Sequence, residues 1–197
     1  MTSAGTVPEV LARRPKRADA RRNYELLVEA ARDAFGEGGV GASLEDIARR
    51  AGVGIGTLYR HFPTRQDLFE AVYVNEVVTL CQSADGLEAL PAWDSLVSWL
   101  HQLVSYASTK RAIAEELTAS GGSPSELFLT CRQEITKTGE PLLKRAQEAG
   151  VARADASFDD VLRMISGITM VAFTEPGQRE RVVDMAIDGL RRQPSAN

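Results

Sequence analysis

The sequence predicts an all-α fold in two parts: a small three-helix unit with a helix-turn-helix at its centre, then a larger helical region. Three observations predict it. Apolar residues recur at spacings of three and four along the chain, and no run alternates at the period of two that a half-buried strand needs. Residues 43–68, SLEDIARRAGVGIGTLYRHFPTRQDL, read as two short helices joined by a glycine turn, with a third starting at once. The chain has 197 residues, room for one such unit and a larger domain.

Taken in chain order, residues 1–20 form a basic, flexible arm. Arg13, Arg14, Lys16 and Arg17, continued by Arg21 and Arg22, stand against only Glu9 and Asp19. VPEVLA is too short for a secretory core. Two readings fit the arm. It is a tail that aids solubility, or it is an extension that follows phosphates or enters a minor groove through residues such as Arg17 and Arg21.

The first short helix opens at Ser43, whose hydroxyl can accept from the Asp46 amide while the Asp46 carboxylate reaches back to the Ser43 amide, a reciprocal capping box. Leu44, Ile47, Ala48 and Ala51 share one face, and Glu45, Arg49 and Arg50 share the other. Gly52 ends the helix, because a residue without a Cβ can take the left-handed conformation required there. Val53 plugs the turn. The second helix runs from Gly54 or Ile55 to His61, with Ile55, Leu58 and Phe62 inward and Gly56, Thr57, Tyr59, Arg60 and His61 outward. Pro63 stops it, and Thr64 with Asp67 starts the next.

The outward set suits a nucleic acid. Gly56 lets the backbone approach a strand or base edge closely. Thr57 can bond a phosphate or meet a thymine methyl, and Arg60 can present two donors to guanine in the major groove. Tyr59 and His61 carry tips suited to phosphate oxygens, as do Ser43 and Arg65 at the starts of their helices. This is the arrangement of a helix-turn-helix reader.

The run GVGIGTLYRHFPTRQDLFEAV, with the DIA of the first short helix, the AGV turn, TLYRHF and the basic Arg65, resembles the amino-terminal domain of the TetR family of bacterial transcriptional regulators over residues 21–71. The resemblance implies a long amphipathic helix ahead of the reader. Tyr24, Leu27, Val28, Ala31, Ala34 and Phe35 supply its apolar face, closed by Gly36, Gly38 and Gly39. It further implies a helix-turn-helix DNA-binding domain at residues 21–67 and an effector-binding and dimerisation domain at residues 68–197. Many members carry a hydroxyl residue where this chain has Gly54, so one phosphate contact is either missing or made by a backbone amide.

Beyond residue 68 the helical rhythm continues without motifs. Helices are expected from Thr64 to near Cys81, from Trp93 to Ser108 and from Lys110 to Ala119. After the loop SGGSP, a long helix from Ser125 to Gly150 is expected to bend or break near Gly139 and Pro141. Phe158 to Phe173 is strongly apolar, and Pro176 suits the first turn of a last helix ending near Arg192.

The resemblance asks two things of this region. One is a dimer interface, for which the stripes Phe158, Val161, Leu162, Ile165 and Val182, Val183, Ala186, Ile187, Leu190 fit a four-helix bundle with a second copy; packing within one protomer is the alternative. The other is a cavity for a small-molecule effector. Val77, Leu80, Cys81, Trp99, Leu103, Phe128, Cys131, Arg132, Ile135, Met164 and Ile168 lie on the helices that surround it in relatives, and each also reads as an ordinary core residue. His101 and Tyr106 could orient a polar ligand group. The implied function is a homodimeric repressor of an inverted-repeat operator in double-stranded DNA, released when an effector tilts the helix from Arg65 to Cys81. A DNA-binding dimer with a filled core, answering to protein partners, is the alternative within the same class.

Charge and composition agree. The net charge of −4 opposes DNA binding as a whole, but residues 71–197 carry 12 basic and 17 acidic side chains, which leaves the positive charge beside the reader. Two histidines, scattered carboxylates, no glycine-rich phosphate loop and no nucleophile motif give no catalytic residues, metal site or cofactor to propose. Cys81 and Cys131, far apart in sequence, read as reduced core thiols. No apolar run approaches bilayer length, so a soluble, cytoplasmic chain with no membrane partner is expected.

Overall fold

The structure, a computed structural model, describes residue 15 and residues 17–38, 41–119 and 125–192. Among these residues the chain is all-α, with helices α1 (Ala18–Gly38), α2 (Leu44–Arg50), α3 (Ile55–His61), α4 (Arg65–Gln82), α5 (Ala92–Ala119), α6 (Ser125–Glu148), α7 (Phe158–Thr169) and α8 (Gln178–Asp188). Most of the basic arm, Gly39 and the segment SGGSP lie outside the described residues. The chain divides into two compact units. Among the described residues, one comprises those up to Val78 together with those of 109–131; the other comprises 79–108 and 132–192.

In the first unit, the apolar face expected of α1 is buried throughout: Tyr24, Leu27, Val28, Ala31, Ala34 and Phe35. The Phe35 ring stacks on Phe69 of α4 at 4.0 Å between centroids, and Tyr24 meets Phe62 at 5.1 Å. Ile47, Leu58 and Leu68 carry α2, α3 and α4 into the same core with no exposed surface. The glycine turn between α2 and α3 is as the sequence predicts, since Gly52 stands at φ +68°, a conformation costly for any residue with a Cβ.

The second unit is built around Trp99 of α5, fully buried with its indole N–H donating to the Leu80 carbonyl at 3.1 Å. Phe158 of α7 lies 5.9 Å from it. Both rings press against α6 at Gly139, where a Cβ would overlap them. Gly139 is therefore a packing surface, and α6 continues unbroken through Pro141. Proline there removes one backbone donor, and the rest of the hydrogen-bond ladder carries the helix past it.

Other boundaries also differ from expectation. The two helices expected between Trp93 and Ala119 are one, α5, because Ser108 and Thr109 are neither glycine nor proline and do not interrupt a helical ladder. Pro176 stands outside α8, which starts after Gly177 at φ +73°. The helix stops at Asp188, and the chain then turns so that Arg153 N–H donates to Leu190 at 2.9 Å and Arg192 N–H to Val151 at 3.0 Å. This short pairing, an isolated antiparallel bridge between Ala152 and Arg191, takes up the backbone groups that a longer helix would have used.

Candidate nucleic-acid interface

Helix α3 buries one of its side chains completely and leaves most of the others open. Leu58 is fully buried and Phe62 nearly so, which fixes the helix against α1 and α2. Gly54, Gly56, Tyr59 and Arg60 are exposed, and Thr57 and His61 are half-buried. A Cβ built at Gly54 or Gly56 meets nothing within 4 Å, so neither glycine is required by packing. Arg60 folds back along the helix, where its Nε donates to the Gly56 carbonyl and its Nη2 to the Thr57 hydroxyl, both at 3.1 Å. The two residues assigned to base contact are thus joined before any partner arrives. Gly54 caps α3 in an extended conformation, without a side-chain bond.

One inward assignment is corrected. Ile55 is 38% exposed, whereas Leu58 has no exposed surface. The reason is its place at the first turn. A helical Cβ points back toward the helix start, so the side chain of the first residue projects past the α2–α3 contact that Leu58 fills.

The flanking residues are set by capping. Ser43 accepts from the Asp46 amide at 3.3 Å, but its hydroxyl donates to Glu45 at 2.7 Å, and the Asp46 carboxylate turns to Arg49 and Arg50. The expected reciprocal box is therefore half-made. Hydrogen bonds from Arg49 and Arg50 hold the Asp46 carboxyl below its usual range, and that from Ser43 lowers Glu45. A complete box opens α4, two helices on. The Thr64 amide donates to Asp67 at 2.9 Å, and the Asp67 amide donates to the Thr64 hydroxyl at 3.1 Å.

Arg65 follows that box, half-buried. Its Nη1 donates to the Ala42 carbonyl at 2.6 Å, and its guanidinium lies 5.5 Å from the Phe35 ring and 5.2 Å from the Phe69 ring. The guanidinium thus has an internal role beside the phosphate role expected of it. His61 is edge-on to Tyr24 at 6.2 Å; burial, reinforced by the Arg60 cation, pushes its imidazole below its ordinary value. Arg17 and Arg21 are exposed at the start of α1, and Arg21 lies 4.0 Å from Glu25.

Of the residues named for a dimer face, Phe158, Val161, Leu162, Ile165, Val183, Ile187 and Leu190 are already buried, and Ala186 is half-buried. Such burial is the packing within one protomer that the sequence also allows. The stripes are the faces by which α7 and α8 join their own core, with Phe158 seated at Trp99 and Gly139. The large apolar side chains left open in this region are Met170, Val171 and Met185, at 75%, 57% and 74%. The sequence carried a signal for Met185: it is an apolar residue off the inward stripe of its own helix.

The candidate effector residues are mostly core. Val77, Phe128 and Cys131 belong to the first unit, where Val77 and Cys131 are buried and Phe128 stands edge-on to Tyr73 at 4.9 Å. In the second unit Leu80, Cys81, Trp99, Leu103 and Ile135 are buried, and burial pushes the Cys81 thiol up. Met164 and Ile168 are half-buried. Arg132 is exposed and paired with Asp159 of α7. His101 is exposed, 3.7 Å from Asp184, and Tyr106 is buried. Within this unit Met164 lines an open groove of about 480 Å³ with Arg153, Asp155, Asp160, Val161 and Leu190 among its walls. Arg153 grips Asp155 through two bonds and lowers that carboxyl to about 2. Among the described residues there is no cluster of three or more His, Cys, Asp or Glu able to hold a metal ion, and no helix long and apolar enough to cross a membrane.

Comparison with known proteins bears on both parts of the chain. The family model for bacterial regulatory proteins, tetR family, matches residues 27–72, and that for the transcriptional regulator SbtR-like C-terminal domain matches residues 91–192. The HTH-type transcriptional regulator UidR of Escherichia coli (strain K12) is 24% identical over 156 residues, 77% of this chain and 80% of that protein. Among solved structures, a TetR transcriptional regulator from Streptomyces coelicolor is 41% identical with a TM-score of 0.74, covering 88% of this chain and 99% of that one. The TetR transcription regulatory protein from Mycobacterium vanbaalenii is 34% identical with a TM-score of 0.72, covering 90% and 100%.

Proposed function

The chain belongs to the TetR family of bacterial transcriptional regulators, with a DNA-binding helix-turn-helix, and from that premise we propose a homodimeric, cytoplasmic repressor that a small-molecule effector releases from an inverted-repeat operator. Residues 21–67 read DNA, residues 68–197 bind the effector and the second copy, and the basic arm tracks the DNA backbone. The observation that carries the reading is the outer face of α3, where two open glycines precede a joined Thr57–Arg60 pair. Arg60 and Thr57 contact bases. Tyr59, His61, Ser43 and Arg65, with the Gly54 backbone, contact phosphates, and Arg17 and Arg21 extend the footprint. The exposed Met170, Val171 and Met185 support a second copy covering the outer face of α7 and α8.

Selection of bound fragments from the source genome at near-physiological salt tests this reading. A short inverted repeat is expected, with half-sites roughly 34 Å apart or slightly more. Salt-sensitive binding with no shared sequence would reduce the protein to a non-specific DNA binder. An effector that released DNA without changing reader separation or its fluctuations would remove the tilting mechanism.

A further inference from the structure

The exposed Ile55 is unlike everything around it. Gly54 before it and Gly56 after it have no side chains, and the space over both is open. Ile55 is therefore the first large group that a surface meeting this turn of α3 would touch. Tyr59 follows at i+4 on the same side and is 47% exposed, so the two make an apolar ridge. Beside it runs the polar ridge of Thr57 and Arg60. A β-branched side chain at an exposed helical position gains nothing in propensity over alanine and, here, little from its own core.

On the reading of α3 as the groove-entering helix, we propose that Ile55 reads the C5-methyl of a thymine in each half-site. Base edges in the major groove display donors, acceptors and one apolar group, the thymine methyl. Isoleucine has no donor or acceptor in its side chain, so it cannot distinguish guanine from adenine by hydrogen bonding. It gains by covering the methyl. Over cytosine it would cover the N4 amino group without offering an acceptor, which disfavours that base. Ile55 thus selects thymine over cytosine at the pair it faces, while Arg60 and Thr57 serve the polar edges nearby.

The test takes the operator recovered by genomic selection and replaces each thymine in turn with deoxyuridine. This removes the methyl and leaves the pairing groups intact. Full-length protein and Ile55→Ala are compared, with thermal unfolding to confirm that the variant is folded. At one thymine per half-site the unsubstituted protein should lose about fourfold in affinity, the worth of one buried methyl-sized group, while Ile55→Ala binds both duplexes alike. Sequence-specific binding in which every deoxyuridine is neutral would overturn the inference and leave the regulator reading intact. The same result follows if the sensitive thymine costs Ile55→Ala as much as the parent. Failure to recover any shared sequence would remove both.

Discussion

Helix α3 completely buries one side chain of its seven residues, Leu58, whereas α7 buries five of its twelve: Phe158, Val161, Leu162, Ile165 and Thr169. The first is a platform held at one point so that most of its surface stays available. The second is a core element whose identity is spent on packing. Substitutions in the two helices should therefore separate stability from binding, and the separation can be tried from the largest effect down.

Phe158→Ala should cost about 3–5 kcal/mol of folding stability, read by chemical denaturation at several protein concentrations. If the stripe served only a second copy, the loss would instead appear as weaker association with the protomer's own stability intact. Gly139→Ala should cost about 1–3 kcal/mol, because the new methyl must displace the Phe158 and Trp99 rings. Quenching or shift of tryptophan fluorescence would locate the disturbance, and an unperturbed Trp99 would contradict the packing described.

Arg60→Ala reverses the pattern. It should change stability by less than about 0.5 kcal/mol and DNA affinity by about 1–3 kcal/mol, with relaxed preference at one base pair. Equal weakening on all sequences would assign Arg60 to a phosphate. The smallest effect concerns His61. Its folded value lies below the ordinary 6.5, so between the two the unfolded chain holds more protons, and stability should fall as pH drops through that window. Thermal midpoints compared between about pH 7.5 and about pH 5.5 should converge in His61→Gln relative to the parent. An identical pH response would show that His61 is not the titrating group.

The same contrast explains what could be read in the sequence. Leu58, Phe62, Gly52 and Pro63 announce α3 because turn and period both constrain them. The Ser43 site was legible as a helix start but not as a half-made box, since Arg49 and Arg50 compete for Asp46 only once the helix has formed. Ile55 was misplaced because apolar spacing does not say where a helix's packing contact ends. For α7 and α8 the stripes were legible and their destination was not. A core, a pocket wall and an interface all demand apolar residues at spacings of three and four. Gly139 and Pro141 together resemble a break, and only the rings lying against Gly139 show why the helix continues.

Arg65 ties three pieces of the first unit with one guanidinium: the carbonyl of Ala42 just ahead of α2, the Phe35 ring of α1 and the Phe69 ring of its own helix. Such a knot fastens the root of α4 to both helices ahead of it. Rotating the first turn of α4 must therefore either break these contacts or carry α1 and the start of α2 with it.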